Sequence, residues 1–312
     1  MNTHSFKRKT KNAWTILRKS FSHFGANNPV NLAGTTAYFA IFSIAPILVI
    51  IVSVFGFFAG DLAMRTKLFA ELEVLIGNES TRLLKNAIDN YQITEHSGLG
   101  AIIGVVFFLV SATTLFTMLQ NSINYIWRIR VKSNLKLSIL KLIKDRLLSF
   151  GVILSLGFVL LISLIVDASI AFLKDFLATY LNPNWIVLAQ IANIVLSLAI
   201  IAGVFTLIYR YLPDVRVKWS ASWFGGSLTA IFFVGGKFII GLLIGSSNLG
   251  AVYGAASSFI IILVWIYFAS LIFYFGVELT HQYSRFYKHR NTPVNYATPF
   301  EITPIGSVQN KA

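Results

Sequence analysis

Residues 36–59 read TAYFAIFSIAPILVIIVSVFGFFA. The stretch carries no charge and no two-residue alternation of apolar and polar positions. Coiled as a helix, it is about 36 Å long, enough to cross a hydrocarbon core of about 30 Å. Five later blocks have the same character: Leu99–Leu119, Leu148–Phe172, Trp185–Tyr209, Trp219–Gly245 and Gly254–Leu279. Backbone groups in lipid must bond within their own segment or within a closed barrel. The length of the blocks and their lack of alternation leave the helix. The sequence therefore predicts an all-α polytopic membrane protein with six transmembrane helices.

Composition agrees. Of 312 residues, 56% are hydrophobic and only 12% are charged, with a mean hydropathy of +0.71. A soluble protein carries about 25% charged residues. Some 35 polar and amphipathic residues precede the first apolar block, which is not the layout of a cleavable signal peptide.

The charges set the expected orientation. The net charge is +14. Twenty of the 26 basic residues fall before span 1, between spans 2 and 3, between spans 4 and 5, and after span 6. The alternate segments hold five, namely Arg65, Lys67, Arg82, Lys85 and Lys174, and Lys237 lies inside span 5. Positively charged loops stay in the cytoplasm, so both termini are expected there, in a bacterial inner membrane. On this reading the basic residues face anionic lipid headgroups, and nucleic acid is not an expected partner.

Four regions flank or join the spans. Residues 1–35 form a basic segment in which Trp14, Leu17, Phe21 and Phe24 recur at helical spacing. That pattern suits an interfacial helix, or one packed beneath the bundle. The outer segment 60–97 predicts two amphipathic helices that break near Gly77–Asn78 and either cap the bundle or line an outer cavity. The inner basic segment 120–147 is expected to continue a span as helix. Together these lie within or beside a transmembrane domain over 36–279. Residues 280–312 form a cytoplasmic tail, and Pro293, Pro299 and Pro304 predict disorder after Tyr287.

Chemistry has few candidates. There is no cysteine, which excludes disulfides, thiolate nucleophiles and iron–sulfur clusters. His4, His23, His96, His281 and His289 make no metal-binding spacing, and no nucleotide or hydrolase motif is present. Neither an enzyme nor a cofactor is expected. Charge within lipid is costly and marks Asp167, Lys237 and Glu278. By helical rise, Asp167 lies about 29 Å from Leu148, and Lys237 about 27 Å from Trp219, so these two meet near the outer face. Glu278 falls at the inner rim, where Arg210 or Arg146 is the expected partner. Pro46 should kink span 1 near Tyr38 and Ser43. Span 5 carries Gly225, Gly226, Gly235, Gly236, Gly241 and Gly245, a density that lets helices approach closely, and Gly241 and Gly245 have the small-x-x-x-small spacing. The span 5–6 connection, with Tyr253 and Gly254, either lines a cavity or turns tightly.

Several segments in order resemble the YihY/BrkB family of bacterial inner-membrane proteins. They are residues 37–46 in span 1, 119–121 and 124–127 after span 2, and 209–215 with Tyr209, Arg210 and Pro213. Gly236-Lys237 follows, then Tyr253-Gly254 through Ser258, Trp265-Ile266-Tyr267 and Gly276-Val277-Glu278. The family's last motif usually reads Gly-Ala-Glu, so Val277 departs from it. The resemblance implies six helical spans and a role at the membrane. The family has been associated with serum resistance and with transport of envelope lipids or lipopolysaccharide precursors. An older ribonuclease label finds no matching catalytic cluster in this sequence. Two functions are expected to compete: a transporter or lipid translocator of the cell envelope, with membrane lipids as partners, and a scaffold that binds an envelope protein through 60–97.

Overall fold

The computed structural model describes residues 3–93, 98–132, 147, 151–155, 157–162, 164–165, 169, 184–246 and 252–301. It is mostly helical. The helices are α1 (Thr3–Ala26), α2 (Pro29–Ala59), α3 (Asp61–Ile76), α4 (Asn78–Ile93), α5 (Gly98–Ile126), α6 (Asn184–Tyr211), α7 (Trp219–Ser246) and α8 (Ser257–Phe286). Strands β1 (Ile129–Val131) and β2 (Ala297–Pro299) form one antiparallel pair. Among the described residues four helices are long and apolar enough to cross a membrane: α2, Ile194–Tyr211 of α6, Trp219–Ile244 of α7, and α8. The described part of Gly151–Ile162 is also helical.

Local chemistry explains the boundaries. Asn28 takes a left-handed conformation (φ 50°) and Pro29 opens α2, as a residue without an N–H can at a helix start. Gly60 (φ 86°) ends α2 by donating its N–H to the Gly56 carbonyl, so the chain turns directly into α3. Gly77 (φ 79°) does the same between α3 and α4, at the break read from the sequence. Arg65 on α3 bonds Asp61 at 2.9 Å and Asp89 on α4 at 3.1 Å, which ties the hairpin together. Its apolar side packs Leu68, Ile76, Leu84 and Ile88 against Leu48 and Val52 of α2 and Ile262 of α8.

The large exposed side chains of α7 suit lipid and not water. Ile231, Phe238, Ile239, Leu242 and Leu243 all face outward. The opposite side of α7 makes close contacts through Gly225 and Gly226. A Cβ on Gly226 would lie 2.8 Å from Thr206 N and 2.9 Å from Ala202 O of α6. One on Gly225 would meet Thr280 and the Gly276 carbonyl of α8. Of the glycines read from the sequence, Gly225 and Gly226 therefore carry the close approach to helix backbone, whereas a Cβ on Gly241 would meet no described atom within 4 Å.

At the basic end of the bundle α5 continues span 2 past Leu119 as far as Ile126. Arg128 then adopts a left-handed conformation (φ 57°), and the chain enters β1 instead of continuing as helix. Residues 133–146 of the inner segment lie outside the described residues. The tail is ordered to Phe300 where its prolines predicted disorder; residues 302–312 lie outside the described residues. β2 pairs with β1, Arg216 N–H donates to the Thr292 carbonyl at 3.0 Å, and Val294 N–H donates to the Asp214 carbonyl at 3.1 Å. These bonds turn the tail into a strap across the α6–α7 loop. Pro293 fits there because a paired edge can tolerate a missing donor.

Candidate functional site

The bundle holds a cavity of about 490 Å³ between α3, the helical residues near 159–160, α6 and α7. Leu75, Leu160, Ile194, Ile201 and Phe233 give it apolar walls, and Lys237 and Glu71 supply its charges. Lys67 pairs with Glu71 at 2.9 Å. The volume lies within the range of small-molecule sites. Lys237 is half-buried and makes no hydrogen bond or ion pair to any described residue.

The other expected site residues among those described do not line this cavity. Asp167 and Arg146 lie outside the described residues. Ser43 is 1% exposed, and its hydroxyl donates to the Ser111 carbonyl at 2.6 Å, joining α2 to α5. α2 runs unbroken through buried Pro46. Tyr38 is exposed and packs edge-on against Phe39 and Phe42. Trp265 stands edge-on to Phe233, at 5.9 Å between ring centres, behind the cavity wall. Gly254 (φ 53°) lines a second hollow of about 400 Å³ with Glu79, Arg82 and Asn86 from α4, while Tyr253 is exposed.

Glu278 has partners that spacing did not suggest. It is 1% exposed and accepts from Asn27 Nδ2 at 2.9 Å and from Gln282 Nε2 at 2.7 Å. Asn27 Oδ1 in turn accepts from Arg128 Nη2 at 2.8 Å. Arg210 was the expected partner, but its guanidinium donates to the Val217 carbonyl and stacks 4.4 Å from the Trp219 ring. Arg210, in the last turn of α6, is engaged by the loop that follows and by Trp219, and Asn27 in the α1–α2 turn covers Glu278 instead.

Pro213 is buried beside Asp214, which is 0% exposed. Asp214 accepts from Asn124 Nδ2 at 2.8 Å, Gln120 Nε2 at 3.3 Å and Tyr296 Oη at 2.9 Å. Its own N–H donates to Asn124 Oδ1 at 2.8 Å. Asp214, Asn27 and Arg128 were not singled out from the sequence. Asp214 and Asn124 do fall within the quoted motifs, and a lone carboxylate in an otherwise basic loop, 209–218, was the available signal.

The Asn27 bridge gives a direct prediction. Asn27→Ala removes the donor to Glu278 and the acceptor for Arg128, a loss of about 1–3 kcal/mol for buried partners left unmet. α1 should then loosen from α8. The chain has no cysteine, so a Ser20→Cys probe on the 0% exposed Ser20 can report it. Maleimide labelling at residue 20 is expected to accelerate in the Asn27→Ala background, and an unchanged rate would show that Asn27 does not hold α1.

The sequence profile of the family described as Virulence factor BrkB matches residues 20–298. A UPF0761 membrane protein of Janthinobacterium sp. (strain Marseille) is 27% identical over 86% of this chain and 60% of its own length. One from Pseudomonas aeruginosa (strain LESB58) is 26% identical over 86% of this chain and 63% of its own length. One from Psychromonas ingrahamii is 27% identical over 83% of this chain and 84% of its own length. The chain thus spans less than two thirds of the first two relatives. No solved structure matches it.

Proposed function

The chain belongs to the Virulence factor BrkB family, and on that premise we propose that it is a transporter or lipid translocator of the cell envelope. In this reading it has six spans, sits in the bacterial inner membrane with both termini in the cytoplasm, and is not an enzyme. The observation that carries the reading is the apolar cavity between α3, α6 and α7 with one cation, Lys237, on its wall. A mostly apolar chamber inside a membrane bundle suits an amphiphile, and a path built on packed helices needs no bound energy carrier to hold its ligand. The 20-to-5 division of basic residues supports the orientation.

Reconstitution into vesicles tests it. Fluorescent phospholipid should exchange between leaflets faster than in protein-free vesicles of the same composition. If neither labelled lipid nor small solutes move, the transport reading is overturned. The scaffold reading then gains, since Leu62 and Val74 stand exposed on α3 and offer a partner an apolar contact. Photocrosslinkers at those two positions should recover a stable envelope protein if that reading is right.

A further inference from the structure

We infer that the cavity beside Lys237 binds one anionic phospholipid, with the phosphate on the ammonium and an acyl chain along the apolar wall. The inference names the ligand of the transport reading and rests on that reading for its role, though binding is measured independently of movement.

The polarity of the cavity is graded along the membrane normal. Lys237 lies about 27 Å along α7 from Trp219. Trp219 is stacked with Arg210, a pairing of aromatic ring and cation suited to a membrane interface. Lys237 therefore sits at the level of the opposite headgroups. Ile201 lies only about 15 Å along α6 from Tyr211, near the middle of the bilayer. The cavity has a cation at headgroup depth and hydrocarbon walls below it. An amphiphile with an anionic head has the same order of polarity.

Charge complementarity selects the head. Glu71 already has Lys67 at 2.9 Å. Lys237 makes no ion pair to any described residue. An ammonium against apolar walls keeps an unmet attraction for an anion, and a low surrounding dielectric strengthens it. A neutral solute would waste that attraction, and a small inorganic anion would leave the walls wet. Phosphate on a diacyl lipid satisfies both, and it is already present at that depth.

The test uses the full chain in detergent, with native mass spectrometry read after addition of phosphatidylglycerol, phosphatidylcholine or oleate. Wild type should retain one phosphatidylglycerol about fivefold more tightly than phosphatidylcholine, the scale expected of one lysine near a membrane surface. Lys237→Gln should erase that preference while its melting temperature stays that of wild type, and Lys237→Arg should keep it. Ile201→Trp, which fills the acyl path, should weaken retention of both phospholipids. A preference that survives Lys237→Gln overturns the inference. So does tighter retention of oleate than of phosphatidylglycerol. Lys237-dependent retention without lipid exchange in vesicles would leave the site standing and remove the transport reading; exchange without that retention would do the reverse.

Discussion

Gly226→Leu is expected to prevent accumulation of folded protein. The position lies on α7 where it crosses α6. A Cβ would stand 2.8 Å from Thr206 N and 2.9 Å from Ala202 O, and it would also strike the Thr206 hydroxyl. Two of these are backbone atoms inside a helix, so no rotamer change can move them aside. Overpacking by a methyl or two costs about 1–3 kcal/mol in a well-packed core. Leucine adds three carbons beyond the Cβ, so the two helices must separate along the crossing. Separation also disturbs Tyr209, whose hydroxyl donates to the Phe273 carbonyl of α8 at 2.9 Å. Native stability is only about 5–15 kcal/mol, so the loss removes much of it. The expected result is a melting temperature in detergent lower by at least about 10 °C, or no recoverable folded protein. Gly241→Leu is the control. With nothing within 4 Å of its Cβ position, it should change stability by less than about 0.5 kcal/mol. Equal loss in the two variants would refute the packing argument.

Asp214→Ala is expected to have the second large effect. Its carboxylate accepts from three side chains: Asn124, Gln120 and Tyr296. Truncation leaves those donors facing one another in a site that is 0% exposed. Each unmet buried donor costs about 1–3 kcal/mol. Asp214→Asn should cost less, because one oxygen still accepts while its amide nitrogen opposes Asn124 Nδ2. The effect should also be local. Tyr296 belongs to the strap, so backbone amides of Arg216, Val294 and Ala297 should exchange with deuterium faster in Asp214→Ala. Unchanged exchange at these amides would show that Asp214 does not anchor the strap.

The predicted helices and the observed ones differ in an instructive way. The apolar blocks gave α2, α6, α7 and α8 to within a few residues at most ends. α2 starts at Pro29, seven residues before Thr36, because packing and not helix propensity extends it: Ala33 is buried and Leu32 packs against the cluster that holds Tyr274 and Val277 of α8. The pattern in 60–97 located the Gly77 break, since only a glycine readily takes φ 79° there. Lys237 was flagged by its charge within a span and by the Gly236-Lys237 motif, and it does line the cavity. The residues flagged around Pro46 in span 1 scattered. Ser43 became a helix-to-helix bond, and Tyr38 faces outward.

The sequence by itself determined that this is a helical membrane protein, because a segment in lipid has to satisfy its own backbone within a few residues. That constraint is local, so it is written in consecutive residues such as 36–59. Only the tertiary structure decided which glycines let helices touch and which acceptor each buried donor found. Asn27 meets Glu278 across 251 positions of chain, and Tyr296 meets Asp214 across 82. No periodicity encodes such a meeting, since the energy of a hydrogen bond or a contact depends on distance in space and not on separation along the chain.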